Sequence, residues 1–286
     1  MSLACRFALA VTACGLTAPG VALLAQTSSP SSQVLPLDPA RERGSSITPA
    51  FEGWYQNADG SYSLLVGYFN RNKSETLDIP VGPNNKLEPG PVDQGQPTYF
   101  QTGRQWGVFV VKVPKDFGAK AITWTITANG ETQSIPLTLN RNYPIEPFEE
   151  KGMGNQPPVL TVGGSEFTGP PTSVAASFTG AVNQPVALTF GVSDPKQTKQ
   201  GSDARAARGA GTVATVSFHK FRGPGGVTFE PARIGTKAQG EMVTTSATFS
   251  LPGEYLVRVQ GNDESGEGGA GFQCCWTNTY VKVTVK

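Results

Sequence analysis

Apolar and polar positions alternate along most of the chain in short runs, the period of strands with one face buried. The clearest run is Ile122-Thr123-Trp124-Thr125-Ile126-Thr127, followed by Asn129-Gly130 and the returning Ile135-Pro136-Leu137-Thr138-Leu139. This pattern predicts a hairpin with one face in a core. Asn57-Ala58-Asp59-Gly60 marks a second hairpin between Phe51-Glu52-Gly53-Trp54-Tyr55 and the run 62–69. A further strand is expected at 107–113. Toward the C-terminus, strand patterns fall at 186–192, 212–221, 227–229 and 242–249, and a closing pair at 253–259 and 279–285. Past the N-terminal segment no long stretch keeps a helical period, so the chain is expected to be all-β.

The 286 residues suffice for two domains, and 34 Gly with 23 Pro suit many short elements joined by turns. Residues 143–157 gather Pro, Gly and charge and are expected to link a domain at 46–142 to one at 158–286. Residues 80–97, rich in Pro and Gly, are expected as a long irregular loop. The insertion 195–211 carries Lys196, Lys199, Arg205 and Arg208 and is expected to be a solvated loop.

Residues 1–25 read as a secretory signal peptide, with Arg6 ahead of the apolar run Phe7-Ala8-Leu9-Ala10-Val11-Thr12-Ala13. Gly15, Pro19 and Gly20 break that stretch, which is short for a membrane span. Val11-Thr12-Ala13-Cys14 resembles a bacterial lipobox, which offers lipid anchoring through Cys14 as the alternative to plain secretion. Residues 26–45 then form a flexible Ser/Pro/Gln-rich leader. The chain has 23 basic and 22 acidic residues, and the signal holds one Arg and no acid, so the mature chain is formally neutral. Neutrality gives no electrostatic case for a nucleic-acid partner. No transmembrane segment is expected in the mature chain.

Val216-Ser217-Phe218-His219-Lys220-Phe221-Arg222-Gly223-Pro224-Gly225-Gly226-Val227-Thr228-Phe229 resembles the middle strands of PKD-type Ig-like repeats. Ala247-Thr248-Phe249, Pro252-Gly253-Glu254-Tyr255 and Val257-Arg258-Val259 are similar to the E and F strands of that family, and Val281-Lys282-Val283-Thr284-Val285 to its last strand. Phe218 stands where the family usually has Trp, and the family's Asp-Phe-Gly-Asp-Gly segment is missing. The resemblance implies two Ig-like β-sandwich domains in tandem after the signal peptide. It implies no single role, since such domains serve as spacers, adhesive modules and enzyme accessories. The first domain, with Phe51-Glu52-Gly53-Trp54-Tyr55 and Gly67-Tyr68-Phe69-Asn70-Arg71-Asn72, is similar to secreted bacterial proteins of no assigned activity.

Cys274 and Cys275 are the only cysteines of the mature chain. In an oxidising compartment they have no distant partner, which leaves a vicinal disulfide, two free thiols or bridges to another molecule. The vicinal disulfide is the expected state, with a structural role beside Trp276. Asp263, Glu264 and Glu267 offer oxygen donors for calcium in a Gly-rich loop, but their spacing fits no EF-hand and a solvated acidic loop is expected. His219 is the sole histidine, so no multi-His zinc site is available. Alternation turns it away from the core that Val216 and Phe218 enter, toward the surface or the other domain. Trp54, Tyr55, Tyr68, Trp106 and Trp276 are the candidate ligand-binding aromatics.

These features lead to an exported, non-enzymatic binding, adhesion or spacer protein, secreted or periplasmic, whose partner is left open, a glycan and a protein surface being the candidates. A carbohydrate-active enzyme or its accessory carbohydrate-binding module is the alternative.

Overall fold

The computed structural model describes residues 41–151, 154–195, 212–263 and 274–286. The signal peptide, Cys14, most of the leader and insertion, Glu264 and Glu267 lie outside them. The described residues form strands, turns and connections with no helix. The fold is all-β, two Ig-like sandwiches in tandem.

The first sandwich contains β1 (Ile47–Gln56), β2 (Tyr62–Asn70), β3 (Leu77–Asp78), β4 (Asn85–Glu88), β5 (Tyr99–Phe100), β6 (Gly103–Val113), β7 (Ala121–Ala128) and β8 (Glu131–Thr138). One sheet runs β1-β2-β6, another β4-β7-β8, and β3 pairs with β5. The alternating Ile122, Trp124 and Ile126 of β7 point into the core with Leu64, Val66 and Phe109. The hairpin to β8 turns at Asn129 and Gly130, both at positive φ (50° and 81°). That is the geometry an Asn-Gly pair tolerates and a right-twisted hairpin wants.

Residues 80–97, expected as an irregular loop, hold β4 and are stapled by one amide. The buried Asn85 donates from Nδ2 to Ile79 O at 3.0 Å and Pro97 O at 2.7 Å, and its Oδ1 accepts Trp124 Nε1 at 3.0 Å. Both ends of the stretch are thereby bound to the central tryptophan.

The second sandwich contains β9 (Val159–Val162), β10 (Ser165–Phe167), β11 (Val174–Gly180), β12 (Pro185–Ser193), β13 (Thr215–Arg222), β14 (Val227–Glu230), β15 (Arg233–Gly235), β16 (Glu241–Phe249), β17 (Gly253–Asn262) and β18 (Trp276–Val285). Its sheets run β10-β9-β12-β16-β14 and β11-β18-β17-β13-β15. This order, with its parallel β11–β18 pair, is that of an Ig-like sandwich. Phe218, Phe190, Val257 and Val283 meet between the sheets. The Pro-Gly-x-Tyr segment forms a tyrosine corner. Tyr255 Oη donates to Leu251 O at 2.7 Å and accepts Gly225 N at 3.1 Å.

Candidate functional site

The outer face of β13, β17 and β18 is where the chemistry gathers. Alternation that sends Val257, Val259, Val281 and Phe218 inward sends Arg258, Gln260, Asn262, Asn278, Tyr280 and His219 outward. Ladder register sets these residues in rungs: His219, Arg258 and Tyr280; Ser217, Gln260 and Asn278; Thr215, Asn262 and Trp276. A polar outer face normally meets water. Here Arg258, Gln260, Asn262 and Asn278 are each no more than 2% exposed, because this face packs on the first sandwich.

The seam is held by side chains that satisfy the edge of β6. Asn278 Nδ2 donates to Gly107 O at 3.0 Å, and Tyr280 Oη donates to Val108 O at 2.5 Å. An uncovered strand edge invites pairing with another chain, and these contacts occupy part of it. The Arg258 guanidinium donates to Gln105 Oε1 at 2.5 Å and Asn278 Oδ1 at 3.2 Å. Burial holds the Tyr280 phenol well above its ordinary pKa, so it stays a donor. Gly107 sits at φ 50° with the Trp276 indole against it. A Cβ there would lie 3.1 Å from Nε1, so the glycine allows the close approach of the second sandwich.

The other end of the seam is apolar, with charged contacts around it. Phe221 of β13 joins the core of the first sandwich, and Leu256 and Tyr280 pack on it. The Phe221 and Tyr280 rings lie 4.7 Å apart. Buried Lys220 donates to Asp78 Oδ1 at 2.9 Å and lies over the Tyr99 ring. Arg222 grips Asp93 with two hydrogen bonds of 2.8 Å.

The structure separates the aromatic candidates. Trp54 and Tyr68 turn toward the first core. Trp54 Nε1 donates to Asn140 O at 2.7 Å, and Tyr68, fully enclosed, accepts Gln101 N at 2.9 Å. Tyr55 is buried on the opposite side of β1, edge-on to Phe148, and burial raises its phenol pKa. Trp276 is buried in the seam. Trp106 is half-buried, with the Arg104 guanidinium 4.0 Å above its ring and a 2.6 Å ion pair from Arg104 to buried Glu52.

Cys274 and Cys275 are joined by a disulfide and are buried. Cys274 Sγ lies 3.9 Å from Asn155 O. Asp263, the one calcium candidate within the described residues, is buried and accepts Asn155 Nδ2 at 2.5 Å through Oδ2. Among the described residues no group of three or more His, Cys, Asp or Glu side chains stands together to hold a metal. The segment 143–157 is bound to β1 as well. Trp54 N donates to Tyr143 O at 3.0 Å, and Ile145 N donates to Trp54 O at 2.9 Å.

Arg258, Gln260, Asn278 and Gln105 were absent from the sequence-based candidates, and Asn262 entered only as an oxygen donor beside Asp263 in the candidate calcium loop. Their only signal is a polar residue at an outward position of a strand, which also describes any solvated strand face.

No protein-family model matches the chain, and no curated protein matches it. Among solved structures it is similar to the D00-D0 domain of intimin, at 12% identity over 83% of this chain and 99% of that one, with a TM-score of 0.26. It is similar to titin A168169 at 11% identity over 83% and 98%, with a TM-score of 0.25. The Yersinia pseudotuberculosis adhesin InvE shows 14% identity over 84% of this chain and 58% of that one, with a TM-score of 0.24. Likeness of that degree carries no weight; the Ig-like assignment rests on the strand order. Among the described residues no helix is long and apolar enough to cross a membrane.

Proposed function

We propose that the protein is an exported, non-enzymatic module of two sandwiches that binds, adheres or spaces at the cell surface or in the periplasm, its second sandwich being PKD-like. The observation that carries this reading is the seam. Arg258, Asn278 and Tyr280 of the outer face are spent on fixing one sandwich to the other, as suits a stiff spacer that presents its ends in a set orientation. The buried disulfide beside Asn155 serves the shape of the same region. A second reading, a carbohydrate-binding accessory or enzyme, is favoured by Trp106, half-buried beneath Arg104.

Solution scattering of the mature protein tests the first reading. A single stiff two-sandwich envelope supports it, and an ensemble of independently tumbling halves overturns it. A glycan array followed by a hydrolysis assay on any hit separates the rest. A hit bound without turnover supports a binding module, and turnover establishes the enzyme.

A further inference from the structure

The polar half of the seam carries an energetic cost that its apolar half does not. Among the described residues, Gln260 Oε1, both polar atoms of the Asn262 amide and His219 Nε2 are enclosed without a hydrogen-bond partner. Gln260 and Asn262 share one face of β17, and His219 stands on the adjacent rung of β13. His219 as a residue keeps some exposure while its Nε2 has none. Gln260 leans toward the imidazole without completing a well-formed bond at Nε2 or Oε1. Buried polar groups left unmatched penalise the closed arrangement, and access to water relieves that penalty.

The charges around His219 would add a further cost once the imidazole is protonated. Arg258 of β17, its partner across the ladder, and Arg233 of β15 both oppose its protonation. Lys220, next along β13, is a third cation, neutralised by Asp78 and set over the Tyr99 ring of β5. Arg258 is also the arginine that reaches across to Gln105 of β6. A second positive charge at His219 would therefore fall beside the residue that ties the sandwiches at this end. At the other end Phe221 remains in the core of the first sandwich.

We propose that this half of the seam is a proton-operated clasp, closed while His219 is neutral and released when the imidazole takes a proton beside Arg258 and Arg233. Release frees the amides of Gln260 and Asn262 to meet water and leaves Phe221, seated in the core of the first sandwich, as the hinge. Burial and the two arginines hold the His219 pKa well below its ordinary value, which keeps the clasp shut at neutral pH and makes acidification the trigger.

Because the chain has a single histidine, one imidazole C–H resonance reports its titration in the full-length mature protein. The clasp requires that resonance to titrate well below the ordinary value of about 6.5. Titration at the ordinary value overturns the proposal. Amide exchange, corrected for the intrinsic effect of pH, supplies the second readout between about pH 7.5 and about pH 5. Protection over 106–108, the stretch of β6 that faces the second sandwich and has no registered partner in β2, should fall roughly tenfold or more on acidification, while the strand at 243–249 keeps its protection. His219→Gln, which cannot be protonated, should abolish that local loss. The same pH response in both proteins, or loss at 243–249 in step with the seam, overturns the clasp.

Discussion

The two faces of the sheet β11-β18-β17-β13-β15 are made by the same strands in the same register, yet they solve burial in different ways. The inner face is a close-packed set of Val, Phe and Tyr side chains, among them Phe218, Tyr255 and Val257. The outer face is buried as well, but with Arg258, Gln260, Asn262 and Asn278. Apolar packing is non-directional and stabilises in proportion to area. Polar packing stabilises only where donors meet acceptors, and it holds a defined orientation in return. One face makes the domain; the other sets how the second sandwich meets the first.

The largest effect expected is at the inner face. Phe218→Ala should lower unfolding stability by about 3–5 kcal/mol in urea denaturation, because the ring is buried against Phe190 at a centroid distance of 5.9 Å. A loss within the range of surface changes, about 0.5 kcal/mol, would remove it from the core. Arg258→Met comes next, since it keeps the volume but leaves Gln105 Oε1 and Asn278 Oδ1 without their donor. A loss on the order of 2 kcal/mol is expected. If this variant matched or exceeded the native stability, the buried guanidinium would be a net burden, as some buried charges are.

The third effect depends on pH. The folded-state pKa of His219 lies below its unfolded value, so the unfolded chain binds the extra proton. The stability from this residue is therefore complete above about pH 6.5 and is lost as pH falls, by at most about 1.4 kcal/mol per pH unit, until the folded-state pKa is passed. Comparing native and His219→Gln melting curves over that range isolates the contribution. Parallel curves would show that the imidazole is not held neutral. The smallest effect is expected at Asp93→Asn, which breaks a paired contact with Arg222. Asp93 is largely exposed, so the change should stay below about 1 kcal/mol and shrink further in salt.

The inner face was legible in the sequence because alternation assigns a strand its apolar side. The hairpin at 122–138 and the long strands of the second sandwich follow from such local signals. β4 was not legible, because its anchor is Asn85, a polar residue whose partners come from both ends of the stretch and from β7. β9, β10, β11 and β15 were missed for a related reason: each is short or lies at a sheet edge, with few apolar positions to establish a period. The outer face was legible only in part. The sequence turns His219 away from the core of the second sandwich, but nothing in Arg258-Val259-Gln260 tells whether the polar positions meet water or Gln105 and Trp106.

The parallel pairing of β11 with β18 bears on how the chain would carry a mechanical load. β11 runs alongside β18, with Ala176 opposite Val281 and Gly180 opposite Val285. If the chain is pulled from Lys286 at one end and from the segment before Val174 at the other, the two strands are drawn past each other lengthwise. Their hydrogen bonds then share the force and must yield together instead of opening one by one from an end. Loaded in that way, the pair resists by shear along its whole length.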